Sequence, residues 1–82
     1  MTTFETVRSV LSKQLEISPE AITESTKILE DLGADSLDLV ELVMTLEEGY
    51  NIIITNEIAG TMVTVGDVVA FIDKQLQSGG LK

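Results

Sequence analysis

The 82-residue chain carries a net charge of −9, fourteen acidic residues against five basic ones, and has no cysteine, histidine or tryptophan. Disulfides, thiolate and imidazole metal sites and Ser-His-Asp catalysis are thereby excluded, and the acidic surface repels nucleic-acid phosphates and anionic membranes. With 44% hydrophobic residues the chain is too apolar to be disordered on charge grounds, and its length suits one domain.

No apolar run approaches the ~18 residues of a membrane span. The start, "MTTFETVRSV", has no basic stretch followed by an apolar one, so the expectation is a cytoplasmic chain without a secretion signal.

Phe4, Val7, Val10, Leu11 and Leu15 recur at three- and four-residue spacings, which predicts one apolar stripe on a first helix. Thr2 and Glu5 are spaced as a capping box at its start. Ser18 followed by Pro19 predicts a cap and a single turn. Residues 23–35 read as a long loop without an element of its own, anchored by Ile28, Leu29 and Leu32 and bent at Gly33.

A second principal helix is expected from Ser36 to about Gly49. "YNIIIT" has strand-like isoleucines but no second strand-like segment to pair with, so it reads as an extended connector. "NEIAGTM" predicts a short helix capped by Asn56, in which Gly60 costs ~1 kcal/mol relative to alanine. The last helix takes its box from Thr64 and Asp67 and its apolar face from Val65, Val68, Val69, Phe71, Ile72 and Leu76. The fold class is therefore all-α: a small antiparallel bundle of three principal helices plus one short helix, with a long first connection. Residues 1–77 form the domain and 78–82 a flexible tail.

At 100° per residue, Leu39, Leu42, Val43, Leu46 and Tyr50 form the core stripe of the second helix. Glu41 and Glu48 lie opposite with Leu37 and Met44, and Val40 and Glu47 lie at the edge. Two readings stand for the apolar outer residues. Leu37, Val40 and Met44 pack beneath the 23–35 loop, or they join the acids in a docking surface for basic partners. Asp35 and Ser36 both suit helix capping. Asp31, Asp35 and Asp38 suggest a calcium loop, but Ser36 stands where that loop requires glycine, so the spacing fails.

"LGADSLDLVELVMTLEE" resembles the signature segment of acyl carrier proteins, whose Asp-Ser-Leu serine carries 4′-phosphopantetheine. The similarity extends through the first helix, "DLGADS" and "TVGDVVAFI". It implies a non-enzymatic monomer in which a phosphopantetheinyl transferase esterifies Ser36 from coenzyme A. The arm then carries acyl thioesters to fatty-acid or related biosynthetic enzymes with basic docking patches. By the same resemblance, Asp35, Leu37, Asp38, Val40, Glu41, Met44, Glu47 and Glu48 contact those enzymes. Because Asp35 and Asp38 oppose a phosphodiester electrostatically, they are assigned to partners. A cargo chain folded between the helices implies a pocket; Val43, Leu46, Ile54, Ala59, Met62 and Val68 are its candidate lining, with plain core packing as the other reading of each.

The family pattern loosens after Glu48. Gly49, Asn51, Ile53, Asn56 and Gly60 stand where the family has acids, and Thr55 where it has proline. This implies a specialised carrier. An unmodified acidic interaction module and a carrier of amino acids remain as alternatives.

Overall fold

In the computed structural model, which describes residues 2–77, the Thr2 hydroxyl accepts the Glu5 amide and Glu5 Oε1 accepts the Thr2 amide, at 3.1 and 2.9 Å. The capping box thus opens α1, Thr3–Leu15, where the sequence predicts it. Val7 and Leu11 are buried on its inner face, and Glu16 ends it in the left-handed region at φ 59°. Ser18 caps one 3₁₀ turn, Pro19–Ala21, again as the sequence predicts.

The 23–35 segment departs from expectation, because it contains a short helix, α2, at Ile28–Asp31. Four residues cannot sustain a helix alone, since nucleation is costly. Tertiary hydrogen bonds hold this one: the Ile28 amide donates to Val63 O, and the amides of Val65 and Gly66 donate to Thr26 O and Glu24 O, at 2.8–2.9 Å. Lys27 and Thr64 form an isolated antiparallel bridge beside them. A Cβ at Gly66 would lie 3.0 Å from Glu24 O, so the close approach selects glycine there. Ile28 anchors the segment at 1% exposure, with Leu32 packed at the edge of the core. Leu29 does not, being 43% exposed on the outer side of the turn.

The helix α3 runs Ser36–Tyr50 and buries Leu42, Val43 and Leu46. Asn51 ends it at φ 57°, a conformation asparagine tolerates better than most residues, which gives this departure from the family pattern a structural reason. The connector is extended, as expected. Ile52 and Ile54 are buried and Ile53 is 78% exposed, the alternation that an extended chain imposes. The short helix α4, Asn56–Ala59, is capped by Thr55 rather than Asn56, the Thr55 hydroxyl accepting the Ile58 amide at 3.2 Å. Cap and first helical residue are shifted by one because Thr55 keeps the extended backbone that capping requires.

The helix α5, Val65–Gln77, starts from a full box. Thr64 Oγ1 accepts the Asp67 amide, and Asp67 Oδ2 accepts the amides of Thr64 and Val63. Gln14 Nε2 at the end of α1 donates to Asp38 O at the start of α3, and Thr3 Oγ1 at the start of α1 donates to Asp73 near the end of α5, both at 2.6 Å. Both α3 and α5 therefore run antiparallel to α1, around a core that includes Leu11, Leu42, Leu46, Val65, Val68 and Ile72. The described residues contain no β-strand, and no helix long and apolar enough to cross a membrane. The expected tail, 78–82, lies outside the described residues.

Candidate functional site

Gly33 turns the chain into α3 at φ +70°, a region that side chains with a Cβ adopt at a cost. Ala34 is buried behind it, at 8% exposure. Asp35, not Ser36, is the cap: Asp35 Oδ1 accepts the Asp38 amide at 3.0 Å and Asp38 Oδ2 accepts the Asp35 amide at 3.2 Å. Both carboxylates thus take part in helix initiation.

Ser36 is the first residue of α3 and is exposed. Among the described residues nothing hydrogen-bonds its hydroxyl, and the amides of Ser36 and Leu37 are also without partners. The other described serines differ. Ser12 donates to Ile17 O, Ser18 to Glu20, and Ser25 pairs with Thr23, while Ser9 is half-buried on α1. An exposed, unengaged hydroxyl beside two free amides at the positive end of a helix of about four turns suits attachment of a phosphodiester, a contact worth ~0.3–1 kcal/mol when exposed.

The outer face of α3 resolves one open reading. Leu37, Val40 and Met44 are 73%, 51% and 54% exposed, so the 23–35 segment does not cover them. Glu41 and Glu48 are exposed beside them. Among the described residues the single ion pair is Lys27–Glu30 at 3.6 Å, so neither glutamate is paired. Glu47 differs, because it is half-buried and its Oε2 accepts the Ile54 amide at 2.7 Å.

Two small clefts open between α3 and the α4 region. One, of about 160 Å³, is walled by Val43, Ile54 and Ala59 with Leu39, Val40 and Met44. The other, of about 260 Å³, lies between Met62, Ala59 and Leu39, with Lys27 and Leu29 at its rim. Four of the six candidate pocket residues therefore meet at these clefts. Leu46 and Val68 line neither and are buried in the core, at 2% and 0% exposure. Leu39 separates the two clefts, which the sequence reading missed. Its place in the core stripe was legible, but the two cavities flanking it were not.

The family profile described as "Phosphopantetheine attachment site" matches residues 5–72. The chain is 52% identical over 73 residues to the acyl carrier protein of Wolinella succinogenes, covering 89% of this chain and 96% of that protein. It is 49% identical over 74 residues to the acyl carrier protein of Campylobacter curvus, covering 90% and 96%. The chain belongs to the acyl carrier proteins.

A solved structure assigned as an acyl carrier protein, from Mycobacterium tuberculosis, superposes with TM-score 0.82 at 30% identity, covering 89% of this chain and 97% of that one. Membership makes this protein a 4′-phosphopantetheine-bearing carrier of acyl groups rather than an enzyme. When attached, the arm supplies a terminal thiol on which acyl groups ride as thioesters, chemistry that a chain without cysteine cannot supply itself.

Proposed function

We propose that Ser36 is the residue that bears the arm, and that the carrier delivers acyl groups among fatty-acid or related biosynthetic enzymes of the cytoplasm. One observation carries the assignment: among the described residues, Ser36 is the exposed serine with an unengaged hydroxyl, placed at a helix start beside two unpartnered amides. The phosphopantetheinyl transferase needs that hydroxyl free to attack coenzyme A. A hydroxyl consumed by capping would be poorly placed, and the Asp35–Asp38 box relieves Ser36 of that duty.

The docking face comprises Asp35, Leu37, Asp38, Val40, Glu41, Met44 and Glu48, with Glu47 turned toward the connector. Acids steer a basic partner to it and the exposed apolar side chains supply the buried contact. Methionine suits a surface that several enzymes visit, because its flexible thioether adapts. Cargo chains enter at the clefts beside Leu39. Each buried methylene gains ~0.8 kcal/mol, so a chain of medium length gains enough to be held there and still be released to a partner. Residues 1–77 act as one carrier domain and as a monomer.

The exposed Ile53, with Asn56 and Gly60 in place of acids, favours a specialised member whose partners read less charge at α4. An unmodified interaction module and an amino-acid carrier are the competing readings. The test is intact-mass measurement after incubation with coenzyme A and a phosphopantetheinyl transferase. The wild type gains the mass of one phosphopantetheine and Ser36→Ala gains none. An unchanged wild type supports the unmodified module instead. Acyl- and aminoacyl-loading enzymes offered the modified protein then separate the two carriers.

A further inference from the structure

Leu39 of α3 and Ala59 of α4 are the residues that line both clefts, so the boundary between the clefts is made by these two side chains. Ala59 offers it a single methyl, and the partition is in substance the Leu39 side chain. Leu39 differs from its neighbours on the same stripe. Leu42 and Leu46 are buried, at 0% and 2% exposure, whereas Leu39 is half-buried at the edge of the core. A side chain so placed changes rotamer without opening the packed interior.

Beyond the partition the walls offer a cargo chain few polar groups. In the larger cleft the charged side chains are Lys27 and Glu30, both exposed and paired with each other at 3.6 Å. In the smaller one Glu47 is engaged by the Ile54 amide, and Asn56 is exposed. Met62 and Val63 continue the wall on one side of Leu39, Val43 and Ile54 on the other. A hydroxyl or carbonyl buried between them lacks a partner, so the lining fits a saturated alkyl chain.

We propose that Leu39 is a specificity-determining residue of the carrier, a partition that sets how long a saturated chain can be held. The selection rests on the reading above that cargo enters beside Leu39, and adds to it a limit on length. At roughly 30 Å³ per water-sized group, the larger cleft holds about nine carbons and the smaller about five. A chain within the first limit fills the larger cleft, against Met62 and Val63, with Leu39 in place. A longer one must turn Leu39 aside to reach Val43 and Ile54, and each carbon beyond the limit adds little. Leu39→Ala removes about three carbons from the partition and joins the clefts, and Leu39→Phe adds about as many.

The experiment loads wild type, Leu39→Ala and Leu39→Phe with saturated chains from butanoyl to hexadecanoyl, using acyl coenzyme A and a phosphopantetheinyl transferase. Each melting temperature is compared with that of the same protein bearing the bare arm. In the wild type the rise per carbon ends at about nine carbons. In Leu39→Ala it continues for about three carbons more, and in Leu39→Phe it ends earlier. Amide NMR gives a second readout that holds where a variant is less stable. Chains within the limit shift Met62 and Val63 of the wild type but not Val43 and Ile54, and longer chains in Leu39→Ala shift both pairs. A Leu39 that only packs lowers every melting temperature alike and leaves the limit unmoved. One limit shared by all three proteins therefore overturns the selection while cargo entry stands. If no chain raises the melting temperature or shifts these amides in any of the three, cargo does not enter the clefts, and the selection falls with that reading.

Discussion

Glu47 Oε2 accepts a 2.7 Å hydrogen bond from the amide of Ile54, so the last full turn of α3 grips the connector that leaves it. The Ile52 amide returns to Glu47 O as well, at 3.2 Å. Two bonds to one residue thereby set Ile52 and Ile54 into the core and fix one wall of the smaller cleft. Among the acids of α3, Glu47 works for the fold first.

Glu47→Ala therefore destabilises the protein by about 1–2 kcal/mol, because the partly buried Ile54 amide loses its acceptor. Urea unfolding checks this against Glu48→Ala, whose exposed carboxylate has no such partner and whose removal leaves the midpoint within ~0.5 kcal/mol. Glu47→Gln, which keeps an acceptor oxygen, recovers most of the loss.

Gly33→Ala costs about 1–2 kcal/mol, all of it conformational, since φ is +70° and a Cβ there meets nothing within 4 Å. Gly33→Asn costs less, asparagine being the commoner side chain in that region. Thermal unfolding of the pair tests the order, with about 4–8 °C expected per kcal/mol for a domain of this size.

Acid weakens two helix starts. Asp67 is held below its ordinary 3.8 by the Thr64 and then the Val63 amide, and Glu5 below its ordinary 4.5, chiefly by the Thr2 amide. A carboxylate whose folded pKa is depressed contributes stability above its unfolded pKa and loses it as pH falls through the folded one. The stability difference between wild type and Asp67→Asn is thus full near neutrality and shrinks below about pH 4. Urea midpoints of both proteins along a pH series measure it. A difference that stays constant to acid pH contradicts the assignment.

With fourteen acids, five basic residues and one ion pair among the described residues, like-charge repulsion opposes folding. Added salt screens it, so the melting temperature rises with ionic strength through the physiological range, where the Debye length is ~8 Å. A flat response shows that repulsion is not limiting.

Both long capping boxes, Thr2–Glu5 and Thr64–Asp67, were legible because each is a matter of residue type at a fixed spacing. The three long helices followed from apolar period. What escaped depends on contacts distant in sequence. α2 exists through the hydrogen bonds of Thr26 to Val65 and of Ile28 to Val63, partners more than thirty residues on in the chain. The exposure of Leu37, Val40 and Met44 depends on where a loop lies, which helical periodicity does not encode. Capping by Asp35 was legible from residue type, but its choice over Ser36 and its closure by Asp38 were not. The clefts beside Leu39 appear only once α4 is placed.

Attachment at Ser36 is the central claim, and site-localising mass spectrometry tests it most directly. Protein modified by a phosphopantetheinyl transferase is fragmented along its backbone, and the added mass is assigned to a residue. Every fragment containing Ser36 then carries it, and fragments ending before Asp35 or beginning after Leu37 do not. The added mass on Ser9, Ser25 or any other residue, with Ser36 unmodified, would contradict it.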